Sequence, residues 1–428
     1  SVVMLDIKFV IDNIPLIKKI IQERNMHVDI SSLEQLHRKQ KELIKTTNNL
    51  QEERNKIAKK ISQITEKDER GYYVEKGKDI RTKITQLEEE RSKITSEMQH
   101  VIYQIPNLCH PDTPIGSDES ANKELRQWGK IPQLLFPIQD HISLLHKLDL
   151  ADFERAAQVA APKFYYLRNQ AVILELALVR YALDTAQKFG FTLTSTPDLA
   201  KPSIIEGIGF APRGDESNIY TIENEDLCLI GTSEITLGGY YQDTIFNPHE
   251  LPIRMAGVSH CFRKEAGAAG KYAKGLYRVH QFTKVELFSY TTPEQSEKEL
   301  QQLLSIEESL FQNLSLPYRV VECASGDLGS PAFRKFDIEV WMPGRNDWGE
   351  VTSVSHCTDY QARRLNIRYH AHNSTKKKNR FVHTLNGTAI ATSRVIIAIL
   401  ENFQNEDFSI DIPEILQPYT GFKKIVPT

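Results

Sequence analysis

Two runs of alternating three- and four-residue spacing constrain this chain more than any other feature. Leu33, Leu36, Gln40, Leu43, Thr47, Leu50, Arg54, Ile57, Ile61 and Ile64 follow the rhythm, and Ile80, Ile84, Leu87, Arg91, Ile94, Met98, Val101 and Ile105 repeat it. That spacing is the seam of a coiled coil. Between the runs lies "EKDERGYYVEKG", polar and glycine-containing, where the pattern predicts a reversal. The expectation is an antiparallel helical hairpin. A stripe this narrow leaves most of each helix polar, so the hairpin should project into solvent, about 50 Å at 1.5 Å per residue. Gln40, Thr47, Arg54 and Arg91 interrupt the seam and read as register-setting residues. Residues 33–105 carry 16 Lys/Arg against 13 Asp/Glu, a balance that by itself specifies only a solvated helix surface.

The hairpin should end at "IPNLCHPDTPIGSDES", where prolines and glycine stop any helix. The 428 residues exceed one ordinary core. The reading is an N-terminal domain over 1–110, a linker over 111–140 and a second domain over 141–428. With 40% hydrophobic and 25% charged residues, the composition is that of a globular protein. No apolar run reaches the roughly 18 residues of a membrane helix, so no membrane partner is expected. Net charge is −3, so any nucleic-acid contact must be local. Cys109, Cys228, Cys261, Cys323 and Cys357 are odd in number, scattered and form no CxxC pair, which fits reduced thiols and argues against zinc.

Beyond residue 150, a helical pattern ("ILELALVRYALDTAQKFG") alternates with β-rich runs: "CLIGTSEITL", "IRMAGVSHCFR", "YRVHQFTKVELFSY", "YRVVECAS" and "FDIEVWM". Several runs are joined by loops rather than helices. The fold class is therefore α+β, a largely antiparallel sheet flanked by helices.

Chemistry concentrates in three stretches. Strand alternation puts Arg263 beside Glu265, Phe282 beside Lys284 and Glu286, and Thr232 beside Glu234. If these strands are neighbours, mixed charge gathers beside an aromatic plane, suited to a ligand with a phosphate or carboxylate, an amine and a flat ring. "EAGAAG" between them would let backbone approach a nucleotide. Further on, "GEVTS" offers Glu350, Thr352 and Ser353 as oxygen donors suited to Mg²⁺. "HTLNGTAIATSRVIIAILEN" runs from a strand into an apolar helix that carries Arg394 near its start. "TKKKNR" at 375–380 is a basic surface segment.

These residues resemble the seryl-tRNA synthetases, a class II aminoacyl-tRNA synthetase family of organellar and bacterial type. The resemblance spans essentially the whole chain, from "MLDIKFV" and the hairpin through "NLCHPDTPIGSDES", "DLADFERAA" and "CFRKEAGAAG…KGLYRVHQFTKVE" to "HCTDYQARRLNIRY" and the stretch at 384–402. It implies activation of L-serine by ATP and transfer to the 3′ end of tRNA(Ser), with ATP as substrate and Mg²⁺ as cofactor. It implies a homodimer through the helix and strand before Pro197, and a hairpin that grips tRNA(Ser). A catalytically silent, synthetase-like RNA-binding protein is the alternative.

By matching positions, the resemblance implies that Arg263 holds the α-phosphate and the serine carboxylate, with Glu265 reading adenine and Phe282 stacking on it. Lys264, Val279, His280 and Gln281 complete that ATP wall. Arg394 holds the far phosphates. Glu350 through Val351 and Thr352 to Ser353 faces ATP, with Glu350 and Ser353 on the metal. A regular strand puts those last two on opposite faces, so a bend is required there. Thr232 and Glu234 meet the serine ammonium, while Glu286, Asn386 and Thr388 meet its hydroxyl. Local choices such as "CLIGTSE" and "GDLGSPAFRKFDIEVWMPG" favour a mitochondrial or other organelle matrix over a bacterial cytoplasm.

Overall fold

The computed structural model describes residues 6–214, 217–266, 272–371 and 378–428. The chain forms two compact units, one of Ser1–Gln22 with Met26–Pro106, the other of Glu23–Asn25 with Asn107–Thr428.

In the first unit, α1 (Leu33–Ile61) and α2 (Lys67–Gln104) form the expected hairpin. The seam buries Leu43 with Ile94 and Met98, and Ile57 with Ile80 and Ile84. The reversal is shorter than the pattern implies. Residues 67–79 are helix, and Ile64 lies beyond the end of α1. Tyr73 packs onto the Ile57 cluster, and Gly77, one seam step on, stands where a Cβ would lie 3.8 Å from Ile57. The seam thus continues through an aromatic and a glycine, residues that an apolar count passes over. Gln40 Nε2 donates to Thr95 Oγ1 across the hairpin at 3.0 Å, as a register-setting polar residue should. Arg91 is exposed instead.

The second unit is built on one eight-stranded sheet: β1 (Lys123–Trp128), β2 (Thr192–Ser195), β3 (Ile253–Phe262), β4 (Gln281–Thr291), β5 (Tyr318–Glu322), β6 (Arg334–Met342), β7 (Asp347–His356) and β8 (His383–Ala391). The order across the sheet is β1-β5-β6-β7-β8-β4-β3-β2. Every neighbouring pair is antiparallel except β2–β3. The segment read as a linker is not free chain, because β1 within it pairs with β5 as an edge strand.

Helices α3 (Gln170–Lys188), α5 (Pro293–Asn313) and α6 (Thr392–Asn402) cover one face. Val285, Leu287, Ile338, Val351, Val354 and Leu385 point into that core. The alternate residues point to the other face, where Phe288 and Tyr290 join a smaller core. "CLIGTSEITL" is not one strand: only Cys228–Leu229 pairs, and α4 (Glu234–Gly239) begins at once. Glu at the helix start suits the dipole, and Gly238 packs so close to Ile208 that a Cβ would lie 2.3 Å from it.

Two bulges interrupt the sheet side by side. Ile338 faces Thr352 but Glu339 faces Glu350, so Val351 is extra in β7. Thr388 faces Glu286 but Ile390 faces Val285, so Ala389 is extra in β8. The β7–β8 pairing runs from His356–Leu385 to Val354–Gly387, and the bulges begin just beyond it.

Candidate active site

The face opposite the helices holds a cavity of about 550 Å³. Antiparallel β3 and β4 make its first wall. Cys261 faces Phe282, and the Arg263 N–H donates to the His280 carbonyl at 2.9 Å, one residue past the end of β3. Arg263 Nε donates to the Gly231 carbonyl at 3.1 Å, and the guanidinium lies 5.2 Å from the Phe282 ring centroid. Strand alternation does not carry Arg263 to Glu265 as expected, since Glu265 sits at φ +52 after the strand. It lines the cavity all the same, 3.4 Å from Arg278 Nη1. The loop "EAGAAG" lies largely outside the described residues, as do 375–377 of the basic segment; Arg380 in that segment pairs with Glu294 at 3.1 Å.

Beneath this wall sits a buried polar pocket. Thr232 and Glu234 reach it from the start of α4, not from a strand face as expected. Glu234 Oε1 accepts from Gln361 Nε2 at 2.8 Å and Asn386 Nδ2 at 2.9 Å. Burial, reinforced by Glu286 and opposed by Lys284, raises its acid to about 7. Lys284 Nζ lies 2.7 Å from Glu286 Oε2 and donates to Thr232 Oγ1 at 2.5 Å. Thr388 Oγ1 donates to Glu286 Oε2 at 3.1 Å. Two carboxylates and one ammonium so placed leave room for a second cation.

At the other end, the β7 bulge supplies the bend that the sequence required. Glu350, Val351 and Ser353 all line the cavity, and Val351 also packs into the helix-side core. Arg394, in the first turn of α6, donates from Nε to the Tyr277 carbonyl at 3.1 Å and from Nη1 to the Glu350 carbonyl at 2.9 Å. Its guanidinium stacks 4.0 Å from the Tyr277 ring. Tyr277 Oη also donates to the Glu350 carbonyl. These bonds use backbone oxygen and leave the Glu350 carboxylate without a hydrogen bond among the described residues. Asp337, across from Ser353, has a buried Oδ1 with no partner among the described residues. Burial and then Glu350 hold its acid well above the usual carboxylate range. Hard oxygen donors left without hydrogen bonds among the described residues fit Mg²⁺. Burial works against the Lys335 ammonium nearby, but Asp337, Cys323, Glu350 and Asp327 outweigh it and raise Lys335 above ordinary lysine.

Val279, Thr352 and Asn386 also contribute to the walls. Lys264, His280 and Gln281 do not. Lys264 points its ammonium toward Tyr220, 6.0 Å from the ring, and His280 Nδ1–H donates to the Arg263 carbonyl at 2.8 Å. Gln281 serves in the strand ladder opposite Phe262. Lys284, Tyr277, Lys335 and Gln361 were not among the expected site residues. Only Lys284 left a sequence signal, its alternation with Phe282 and Glu286.

Residues 4–109 match the seryl-tRNA synthetase N-terminal domain, and residues 219–403 match the tRNA synthetase class II core domain (G, H, P, S and T). The chain is 49% identical to a serine–tRNA ligase of Treponema denticola over 99% of this chain and 100% of the relative. It is 50% identical to that of Dictyoglomus thermophilum over 99% and 100%. Among solved structures, seryl-tRNA synthetase from Pyrococcus horikoshii complexed with ATP superposes with a TM-score of 0.89 at 42% identity, covering 99% of this chain and all of that one. The cytoplasmic enzyme of Naegleria fowleri in complex with AMP gives 0.84 at 30% identity, covering 100% and 99%.

Proposed function

The chain belongs to the seryl-tRNA synthetases, and from that premise we propose how its cavity activates L-serine with ATP and passes it to the 3′ end of tRNA. The observation that carries the reading is the convergence of Arg263, Phe282, Glu286 and Arg394 on one cavity of about 550 Å³.

Adenine stacks on Phe282, with Glu265 accepting from its amino group. Arg263 bridges the α-phosphate and the serine carboxylate. A carboxylate oxygen attacks the α-phosphorus, and pyrophosphate leaves toward Arg394. No protein nucleophile is needed; catalysis is alignment plus stabilisation of charge on the α-phosphoryl group. In the second step a hydroxyl of the terminal ribose attacks the seryl carbonyl, its proton is lost and AMP departs. Mg²⁺, when bound by Glu350 and Ser353, neutralises phosphate charge.

The serine ammonium meets Glu234 and Thr232. Lys284 already neutralises Glu286, which accepts from the serine hydroxyl beside Thr388. Alanine leaves those buried groups unpaired and should be rejected by roughly 10⁴-fold.

The hairpin is the tRNA grip. Contact with RNA duplex is mainly to backbone and shape, so Lys and Arg on its outer sides make charging salt-sensitive. A second copy covers α3 and β2, whose outward side bares Val172, Ile173, Leu176 and Leu193. Placement in an organelle matrix rests on local sequence choices alone; the coding sequence upstream of Ser1 tests it.

Serine-dependent ATP–pyrophosphate exchange is the direct assay. Arg263→Ala should lower it at least about 10²-fold with the fold unchanged. Exchange at the parent rate would remove Arg263 from this role.

A further inference from the structure

Glu307 has no place in the mechanism above, yet it lies directly behind the pocket that reads the serine side chain. It stands on α5, wholly buried. Its Oε1 is 3.0 Å from Thr352 Oγ1, and Oε2 has no partner among the described residues. Thr352 in turn donates to the Thr388 carbonyl. Thr388 is the residue whose hydroxyl holds Glu286.

The topology explains why such a bridge is needed. The backbone register between β7 and β8 ends at Val354–Gly387. The extra residues Val351 and Ala389 follow at once. The Thr352 hydroxyl takes the Thr388 carbonyl at this interruption. Gly387 gives Glu307 its access, since a Cβ there would stand 3.1 Å from Oε1.

Proton counting then bears on the state of Glu307, because Thr352 Oγ1 is within donating distance of both Glu307 Oε1 and the Thr388 carbonyl and has one proton for the two. A carbonyl only accepts, so Thr352 gives its single hydroxyl proton to Thr388. The contact at Glu307 Oε1 must therefore use a proton that Glu307 brings. We propose that Glu307 is a positioning residue for serine selection: as a neutral carboxylic acid it donates to Thr352 Oγ1, which holds the Thr388 carbonyl and so aims the Thr388 hydroxyl at Glu286. The relay rests on the proposed reading of Glu286 and Thr388 as the pair that meets the substrate hydroxyl. Its surroundings agree with the neutral form. Burial drives the acid well above the usual carboxylate range, Thr352 opposes, and Glu286, Asp337 and Glu308 add to the rise. An unpartnered buried oxygen is also far cheaper on a neutral acid than on a carboxylate.

The test measures serine-dependent exchange on the full chain carrying Glu307→Leu, Glu307→Gln, Thr352→Val or Thr388→Val. Glu307→Leu and Thr352→Val should each raise the serine KM about tenfold, the worth of one buried hydrogen bond, and in Glu307→Leu, which lies outside the cavity, the ATP KM should stay within about twofold. Glu307→Gln keeps a neutral donor and should stay within about threefold of the parent. A parent-like serine KM in the Leu and Val variants overturns the relay. So does a Gln variant as impaired as Leu, or an ATP KM that rises in step in Glu307→Leu. Thr352→Val keeps the relay falsifiable should Glu307→Leu not fold. Thr388→Val separates the two levels of the argument. If it raises the serine KM while Glu307→Leu does not, only the relay fails; if it leaves the serine KM unchanged, the underlying pocket reading falls and the relay with it.

Discussion

At the scale of single residues, the pocket works by placing unlike carboxylates a short distance apart. Glu286 has an ammonium and a hydroxyl on one oxygen, whereas the Glu234 carboxylate is hydrogen-bonded by the neutral amides of Gln361 and Asn386 among the described residues. Burial therefore raises the Glu234 acid to about 7. The serine ammonium needs it ionised, so binding at lower pH must expel a proton. Serine affinity should strengthen from pH 6 to pH 8 with a one-proton dependence, and Glu234→Gln should flatten the profile while weakening binding. A titration of serine binding across that range decides it; a flat parent profile would remove Glu234 from the ammonium site. The stability sign follows separately. Between about 4.5 and 7 the unfolded chain has lost this proton and the folded one keeps it. The contribution of Glu234 to stability thus falls as pH rises through that window and is constant above it. Residue identity was legible for Arg263, Phe282, Glu286 and Arg394, which recur at strand or helix spacing. Glu307 and Gln361 were not, because their importance lies in partners 45 and 127 positions away.

At the scale of elements, the hairpin and the bulges show opposite degrees of legibility. A two-helix seam is a local, repeating pattern, and the structure follows it, extending α2 through Tyr73 and Gly77. Because α1 and α2 belong to a unit that is compact by itself, the cavity does not depend on their residues. Removing residues 33–104 and closing the gap should leave serine-dependent exchange within about threefold of the parent and reduce tRNA charging by at least about 10²-fold. Parallel exchange and charging assays measure both, and undiminished charging would show that the grip lies elsewhere. The bulges are another matter. The need for a bend between Glu350 and Ser353 could be deduced from strand period. Its position at Val351, and the twin at Ala389, depend on which residues β6 and β4 present across the ladder.

At the scale of the whole molecule, the sheet has two unlike ends. At one, β1 is an exposed edge strand in which Lys123, Glu124 and Arg126 are charged. At the other, β2 is short, largely exposed and flanked by α3, with Leu176 59% exposed. An exposed edge strand beside an apolar helix face invites pairing with another copy. Leu176→Glu should shift the protein from dimer toward monomer in sedimentation equilibrium, and a parent that is monomeric at micromolar concentration would refute the homodimer. Sequence patterning by itself determined the hairpin, the antiparallel character of the sheet and the strand-to-helix passage that carries Arg394, because 3.5- and 2-residue repeats and helix-free connections between strands are written in neighbouring residues. Only the tertiary structure decided that Thr232 and Glu234 ride on a helix start, that Lys284 neutralises Glu286, and that Glu307 meets Thr352, whose hydroxyl contacts the Thr388 carbonyl. Those depend on burial and on hydrogen-bond partners that folding brings together from distant parts of the chain.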